Sequence, residues 1–373
     1  MSLEQIFTQA WRNQSGWLLL LRPLSTLYGL VSRVRHYLYQ QQILKSYRAP
    51  VPVMIIGNIT VGGSGKTPLI IELVQFLQYF GLNVAVISRG YGGQGPFPHL
   101  VQAQDLPSIV GDEPALIVQQ TGVLMAVGPN RRAAIELLLQ QAEQQGKPLD
   151  LILSDDGLQH LALQRDIEWI VLDVDRGLGN QQLLPAGYLR EPLQRLETAT
   201  VIEHGKNATS PLSMQLKPSA LVPLSDEAGL RPERGDCVHA VAGIAVPERF
   251  FQSLRDLGFE VIEHVFADHH DYTPADLEFD AYFEGGLEHD GEDGLRDDLK
   301  KDFKDDFNES YPVIITAKDA VKIKQLVPLI ELDNVWILPV QAQLSTACYE
   351  QLIAQLKALN ITALDGIASD AIN

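Results

Sequence analysis

Val53-Met-Ile-Ile-Gly-Asn-Ile-Thr-Val-Gly-Gly-Ser-Gly-Lys-Thr67 joins an apolar run to a glycine-rich turn that ends in Gly-Lys-Thr. The apolar residues have the length and composition of a buried strand, and the glycines let backbone N–H groups turn inward towards an anion. Lys66 supplies a cation for the phosphate, and Thr67 opens a helix with its hydroxyl available to Mg²⁺. Thr60 stands where the standard motif has its first glycine. The stretch predicts a nucleotide-binding P-loop made of Thr60, Val61, Gly62, Gly63, Ser64, Gly65, Lys66 and Thr67.

Strand-like and helix-like stretches alternate after this loop. The strand-like runs are 51–56, 84–87, 151–153 and 169–172, and the helix-like runs are 69–80, 113–120 and 131–145. Such alternation is typical of an α/β fold with a parallel sheet and crossover helices, whose ligands collect at the carboxyl ends of the strands. We therefore expect residues 57–67, 88–92 and 154–157 to meet at one site.

The later part of the chain predicts a second, smaller α/β lobe. Residues 206–235 are rich in Pro, Ser and Gly, and they predict a connection after a catalytic domain at 49–205. Strand-like and helix-like runs alternate again beyond it, which predicts a lobe at 236–373. Residues at about 284–309 are dense in Asp and Glu, and they predict a solvated acidic insertion within that lobe.

The first 48 residues form an arm that is basic and apolar together. Its charged residues are Arg12, Arg22, Arg33, Arg35, Lys45 and Arg48 against the single acid Glu4. Arg22 and Pro23 interrupt the apolar run before the roughly 20 residues that a bilayer span needs. Two interpretations remain open: an amphipathic helix lying in the membrane interface, or a helix packed on the protein's own core.

Composition excludes several classes of protein. The formal charge of −18 over 373 residues argues against a nucleic-acid partner, because phosphate backbones are bound by an excess of Lys and Arg. Cys237 and Cys348 are far apart and not in metal-ligand spacing. A reducing compartment, with the cytoplasm as the default, is therefore expected, without a disulfide or zinc framework.

Two carboxylates, Asp155 and Asp156, end the predicted strand at 151–153 and are followed by Gln159 and His160. A P-loop protein needs an acidic residue at such a place to hold Mg²⁺ or its water shell, although Asp-Asp-Gly is also an ordinary turn. Asp112 begins a predicted helix, where it is either a general base or an N-cap.

Other polar motifs are ambiguous when each is taken alone. Arg89 and Arg131 lie in short motifs that fit phosphate-binding arginines or ordinary turns. Residues 267–271 are either a metal cluster or a pH-sensitive turn.

Taken together and in this order, the motifs resemble the tetraacyldisaccharide 4′-kinase family of lipid A synthesis. The motifs are Gly57-Asn-Ile-Thr-Val-Gly-Gly-Ser-Gly-Lys-Thr-Pro68, Ser88-Arg-Gly-Tyr-Gly92, Gly111-Asp-Glu-Pro114, Gly128-Pro-Asn-Arg131, Asp155-Asp-Gly-Leu-Gln-His160, Arg176-Gly-Leu-Gly-Asn180, Leu184-Pro-Ala-Gly-Tyr-Leu-Arg-Glu191, Asp268-His269 and Thr316-Ala-Lys-Asp319. The resemblance covers nearly the whole chain, and Thr60 matches the family's own residue. Gln181, Tyr188 and the pair Ala245-Val246 depart from it.

The resemblance implies a kinase that uses ATP and Mg²⁺ to phosphorylate the 4′-hydroxyl of a tetraacylated glucosamine disaccharide 1-phosphate. It implies a peripheral protein at the cytoplasmic face of the inner membrane of a Gram-negative bacterium, with residues 1–48 on the membrane surface. An acylated disaccharide lipid is the expected partner, with no nucleic acid and no obligate protein partner. The competing hypothesis is a P-loop ATPase switch, but such proteins commonly carry a Lys where this chain has Val61.

Roles for individual residues follow from the resemblance. The implied catalytic residues are Lys66, Arg190, Asp112 as general base and His269 as its support, with His270 as the alternative to His269. The implied Mg²⁺ ligands are Thr67, Asp155, Asp156 and Gln159. The implied substrate contacts are Arg89, Arg131, His160 and Glu191.

Overall fold

Residues 53–57 form an inner strand of a nine-stranded sheet, as the apolar run predicts. The protein is described from a computed structural model, which covers residues 3–225, 229–277, 279, 311–326 and 334–361. The acidic insertion expected at 284–309 lies outside the described residues. The chain divides into two compact units, one made of residues 1–219 and 340–373 and the other of residues 220–339.

The large sheet belongs to the first unit and is mostly parallel. Its strands, in spatial order, are β14 (Val340–Leu344), β8 (Ser213–Pro218), β7 (Thr200–His204), β6 (Ile167–Asp173), β1 (Val53–Gly57), β5 (Leu151–Asp155), β2 (Val84–Ser88), β4 (Leu124–Val127) and β3 (His99–Leu100). Among the described strands of this sheet, only the edge strands β14 and β3 pair in the antiparallel sense. The predicted parallel α/β sheet is confirmed, and the carboxyl ends of β1, β5 and β2 lie side by side.

Several helices of the first unit bury apolar residues in its core, among them Lys66–Tyr79, Asp112–Thr121 and Arg131–Gln144. The helices of this unit are α1 (Leu3–Arg12), α2 (Arg22–Gln40), α3 (Lys66–Tyr79), α4 (Pro107–Val110), α5 (Asp112–Thr121), α6 (Arg131–Gln144), α7 (Arg195–Thr198) and α10 (Thr346–Ala358). On α3, Leu69, Leu73 and Leu77 recur at helical spacing and are fully buried. Ile55 of β1 and Ile135 of α6 belong to one core cluster, which fixes the loop between β1 and α3 on a rigid base.

The second unit is a smaller α/β body. Its five strands, in spatial order, are β11 (Glu260–Val265), β10 (Cys237–Ala242), β12 (Val313–Thr316), β13 (Val335–Leu338) and β9 (Val222–Pro223), and its helices are α8 (Pro247–Leu257) and α9 (Ala317–Ile323). The sheet is parallel apart from β9, which agrees with the second α/β lobe expected from the sequence.

The boundaries of that lobe differ from the expectation. Residues 340–373 were expected in the second lobe but belong to the first unit. The reason is long-range pairing: β14 completes the large sheet beside β8, and Tyr349 of α10 donates a hydrogen bond of 2.7 Å to Glu72 of α3. The expected connection at 206–235 likewise contains β8, which pairs with both β7 and β14.

The N-terminal arm contains helices α1 and α2, and α2 has two different faces. Ser25 and Gly29 are buried against the first unit. The exposed apolar residues of α2 and of the turn before it include Leu20, Leu24, Leu27, Leu30, Val31 and Val34. Among the described helices, none is both long and apolar enough to span a bilayer. One face of α2 therefore packs on the protein, as the core-packing interpretation expects, while the other face carries the apolar stripe.

Candidate active site

The glycine-rich loop connects β1 to the first turn of α3, as predicted. Gly65 precedes the helix with φ of 84°, a left-handed conformation that favours glycine, and an added Cβ would lie 2.9 Å from the Met214 methyl group. Lys66 is the first residue of α3, and its Nζ lies 3.2 Å from Asn58 Oδ1 and 3.6 Å from Asp156 Oδ1. The loop thus aims its only lysine at the end of the neighbouring strand β5.

Asp155 and Asp156 stand at and just beyond the end of β5, next to the P-loop. Asp155 is buried and accepts a hydrogen bond of 3.2 Å from Ser88 Oγ at the end of β2. Asp156 has φ of 45°, in the left-handed region that Asp adopts more readily than most residues other than glycine. Two adjacent carboxylates therefore sit at the carboxyl edge of the sheet, one inside it and one facing the lysine.

The two carboxylates have opposite electrostatic environments. Burial, followed by the negative charge of Glu113, raises the pKa of Asp155 to about 7. Burial would also raise the pKa of Asp156, but the positive charges of Lys66 and Arg190 outweigh it and lower that pKa to about 2. Asp156 is therefore ionised at neutral pH and clamped between two cations.

Arg190 completes this cluster. Its guanidinium donates to both oxygens of Asp156, at 3.0 Å and 2.9 Å, and also to Asn58 Oδ1 at 3.2 Å and to Gln159 Oε1. Its backbone N–H donates to Ile59 O at 2.6 Å. The segment that carries Arg190 thus runs alongside the P-loop, and the loop, the end of β5 and Arg190 form one hydrogen-bonded body.

Asn58 is the residue that sequence reasoning missed at this centre. It is fully buried, and its amide Nδ2 donates to Gly62 O within the P-loop at 3.2 Å. Its Oδ1 accepts from both Lys66 and Arg190. The available signal was a polar residue placed directly after the apolar strand, where a side chain points into the same edge as the loop.

Three of the four predicted Mg²⁺ ligands, Thr67, Asp155 and Asp156, carry oxygen atoms suited to magnesium, whereas Oε1 of the fourth, Gln159, accepts a hydrogen bond from Arg190. In the described part of the chain, Asp155 Oδ1 is a buried oxygen without a hydrogen-bond partner, and Thr67 is the second residue of α3. Within the same residues, no cluster of three or more His, Cys, Asp or Glu side chains is arranged to hold a metal ion. Mg²⁺ is usually held by one or two carboxylates together with substrate phosphates and water, and Asp155 with Asp156 is a pair of that kind.

The residues expected to contact substrate lie in different surroundings. Arg131 is buried, and its guanidinium donates to the backbone carbonyls of Asp155 and Gly128 at 3.1 Å and 3.3 Å. Arg89 is exposed. His160 is half-buried, and burial together with the charge of Arg131 lowers its pKa to about 4. Glu191 is buried, which raises its pKa. Arg131 thus holds the end of β5 through its hydrogen bond to the Asp155 carbonyl.

Asp112 is buried at the start of α5. It is the first helical residue, while Gly111, with φ of 96°, occupies the N-cap position. Asp112 thus lies one position inside the helix from the assigned cap, and its role stays a prediction. Its neighbour Glu113 acts electrostatically on Asp155, so the start of α5 lies near the end of β5.

His269 belongs to the second unit, where it follows β11. Its backbone φ is 62°. The Nε2 atom of His269 lies 3.4 Å from Lys318 Nζ, and that ammonium group donates a hydrogen bond of 2.9 Å to Asp268 Oδ1. His270 contacts Asp276 Oδ2 at 3.3 Å. The pairing of a histidine with Asp112 stays a prediction.

The site has the features of a P-loop enzyme of the kinase type. These features are an open parallel sheet, a glycine-rich loop that leads into a helix, and a charged cluster beside that loop. The family model described as LpxK, tetraacyldisaccharide-1-P 4′-kinase, matches residues 17–285. The chain therefore belongs to this family. Membership favours a kinase over the ATPase switch.

Named relatives cover almost the whole chain. The tetraacyldisaccharide 4′-kinase of Psychrobacter cryohalolentis is 45% identical over 97% of this chain and 98% of its own length. That of Actinobacillus pleuropneumoniae serotype 7 is 42% identical over 91% and 96%. A crystal structure of LpxK from Aquifex aeolicus in complex with ATP covers 91% of this chain and 99% of its own, with a TM-score of 0.66 and 25% identity.

Proposed function

We propose that this chain transfers the γ-phosphate of ATP to the 4′-hydroxyl of a tetraacylated glucosamine disaccharide 1-phosphate. The observation that carries the proposal is the cluster of Lys66, Asp156 and Arg190 at the mouth of the P-loop. Phosphoryl transfer depends mainly on positioning and on neutralising charge as it moves from the transferred group to the leaving oxygen. Two fixed cations beside a carboxylate pair supply those requirements.

The residues of the cluster divide the work between them. Asp155 and Asp156, with the hydroxyl of Thr67, would hold Mg²⁺, which neutralises phosphate charge when it is bound. Lys66 would contact the phosphates from the first turn of α3, and Arg190 lies at the same carboxylate, Asp156. Gln159 and Asn58 fix the direction of the Arg190 guanidinium.

Asp112 is proposed as the general base that accepts the proton of the acceptor hydroxyl. Its burial at the start of α5, with the cap position taken by Gly111, supports a role other than helix capping. From the family resemblance, His269 is proposed to assist Asp112 as a proton relay, because a carboxylate is a better general base when a partner takes up or relays its proton.

The N-terminal arm is proposed to bring the enzyme to its lipid substrate at the cytoplasmic face of the inner membrane. The exposed apolar residues on α2, interleaved with Arg33 and Arg35, support an interfacial helix with arginines at the headgroups. The acyl chains of the substrate stay in the bilayer, so an enzyme that phosphorylates its sugar must work at that surface.

The test is a transfer assay with purified chain, γ-labelled ATP, Mg²⁺ and detergent-dispersed disaccharide lipid. We expect label in the lipid, with a new phosphorus resonance coupled to the proton at the 4′ carbon. A matched acceptor whose 4′-hydroxyl is replaced by hydrogen should take up no label. Hydrolysis of ATP without labelled lipid would overturn the proposal in favour of an ATPase.

A further inference from the structure

Helix α2 makes a set of polar contacts with one short segment of the first unit, residues 183–190. The hydroxyl of Ser25 donates to Leu183 O at 2.8 Å and accepts from Ala186 N at 2.9 Å. Closer to the N-terminus, Trp11 Nε1 donates to Pro185 O at 2.9 Å. Side chains of the arm therefore make hydrogen bonds to backbone N–H and C=O groups of this segment at several points. Apolar packing of a helix alone would leave those groups without such partners.

The last contact of the set falls on Arg190 itself. The Tyr28 hydroxyl donates to Arg190 O at 2.9 Å, while the Arg190 N–H donates at 2.6 Å to the carbonyl of Ile59, the residue just before the P-loop. The backbone of Arg190 is thus held on one side by α2 and on the other by the segment that leads into the P-loop. Burial and the charge of Glu191 raise the pKa of Tyr28.

Close packing reinforces these hydrogen bonds. Gly29 lies one turn after Ser25, and an added Cβ would come within 2.8 Å of the Leu183 Cδ1 methyl group. Ser25 is only 5% exposed. The helix therefore approaches the segment as closely as its backbone allows, which leaves the segment little freedom to shift.

We propose that Ser25 and Tyr28 are positioning residues for phosphoryl transfer, which hold the backbone of Arg190 so that its guanidinium meets Asp156 and Asn58. A forked guanidinium needs accurate direction, and an error of about 1 Å in a catalytic group can cost roughly 10²-fold in rate. The inference rests on the proposed role of Arg190. It gives the arm a part in the chemical step besides its proposed contact with the membrane.

The test uses Tyr28→Phe in the full chain, assayed with saturating ATP and detergent-dispersed lipid. The change removes one hydroxyl and keeps the ring. We expect kcat to fall about tenfold, with the KM for ATP within about twofold of wild type and the melting temperature unchanged. Tyr39→Phe is the matched control, because it makes the same change further along α2, where the ring lies near Arg35, and it should leave kcat unchanged.

A double-mutant cycle separates positioning from general stability. If Tyr28 acts through Arg190, Tyr28→Phe should add almost no loss in an Arg190→Lys background. Multiplicative losses, or a Tyr28→Phe enzyme within twofold of wild-type kcat, would overturn the inference. Ser25→Ala provides a second variant with the same expected signature if Tyr28→Phe fails to fold. Wild-type turnover by Arg190→Lys would instead overturn the proposed role of Arg190.

Discussion

The Asp156 carboxylate accepts two hydrogen bonds from the Arg190 guanidinium, at 3.0 Å and 2.9 Å, and lies 3.6 Å from the Lys66 ammonium. These three residues come from the P-loop helix, the end of β5 and a segment far along the chain. Their contact joins the nucleotide-binding loop to the motif at 184–191 that the sequence could relate to it only through family resemblance.

Asp156→Asn should impair catalysis without unfolding the protein. The change removes the negative charge that both cations face, together with one proposed Mg²⁺ ligand, so turnover should fall by roughly 10²-fold and the Mg²⁺ concentration for half-maximal rate should rise. Initial rates over a Mg²⁺ titration, with melting temperature as the control, check this. Near-normal turnover with an unchanged Mg²⁺ requirement would show that Asp156 only organises the loop.

Asp112→Ala should lower turnover by roughly 10²- to 10⁴-fold, the usual contribution of a general base, with little change in ATP affinity. Asp112→Asn, which keeps the shape of the side chain, should be equally inactive because the amide accepts no proton. Steady-state kinetics and nucleotide-binding titrations measure both. A lowered melting temperature with near-normal turnover would assign Asp112 a structural role instead.

Leucines of opposite exposure in the arm test its proposed contact with the membrane. Leu20 is 80% exposed, whereas Leu18 is 2% exposed. Leu20→Ser combined with Leu24→Ser should reduce flotation with anionic vesicles and change the free energy of unfolding by no more than about 0.5 kcal/mol. Leu18→Ser, the buried counterpart, should instead cost about 2–5 kcal/mol of stability. Normal flotation of the exposed double variant would rule out the membrane-bound stripe.

The second unit should lose stability in mild acid because of a histidine pair. His239 Nδ1 and His264 Nε2 lie 2.9 Å apart on β10 and β11, and the Phe279 ring packs on both imidazoles. Burial lowers the pKa of both rings, that of His239 to about 4 with a further contribution from His264. An unfolded histidine titrates near 6.5, so the unfolded chain binds more protons in this range.

The stabilising contribution is therefore complete above pH of about 6.5 and is lost as pH falls towards about 4. Chemical unfolding followed across this range should show the loss in wild type. A His239→Gln and His264→Gln double variant should show a shallower dependence. If the free energy of unfolding depended on pH equally in the two proteins, the histidine pair would not be the cause of the loss of stability in acid.

Local pattern was enough to predict the sheet and its loop. The apolar run at 53–56 and the Gly-Lys-Thr turn specify strand, loop and helix over one short stretch, and the alternation of strands and helices predicts a parallel sheet with its loops gathered at one edge. The return of β14 to pair with β8 was not predictable in this way. That pairing joins residues far apart in sequence, and neither strand differs in composition from one that would stay in the second unit.

Contacts between residues far apart in the sequence also limited what could be predicted of the site. Lys66 and Asp156 stand out because their residue types and positions suit phosphate and metal. Asn58 does not, because its importance comes from two cations that reach it from different parts of the chain. For the arm, the sequence left a membrane-interface helix and a core-packing helix as alternatives. In the structure, the face of α2 that carries Ser25 packs on the protein, while its apolar stripe is exposed.

The most direct test of the account is the rate of phosphate transfer to the disaccharide lipid by purified Lys66→Ala enzyme, beside wild type at equal concentration. Lys66 supplies charge to the transferred phosphoryl and its leaving group, so a folded Lys66→Ala protein should have almost no transferase activity. Far-ultraviolet circular dichroism and melting temperature establish that the variant is folded. Retention of more than about a tenth of the wild-type rate would contradict the assignment of this loop as the catalytic phosphate site.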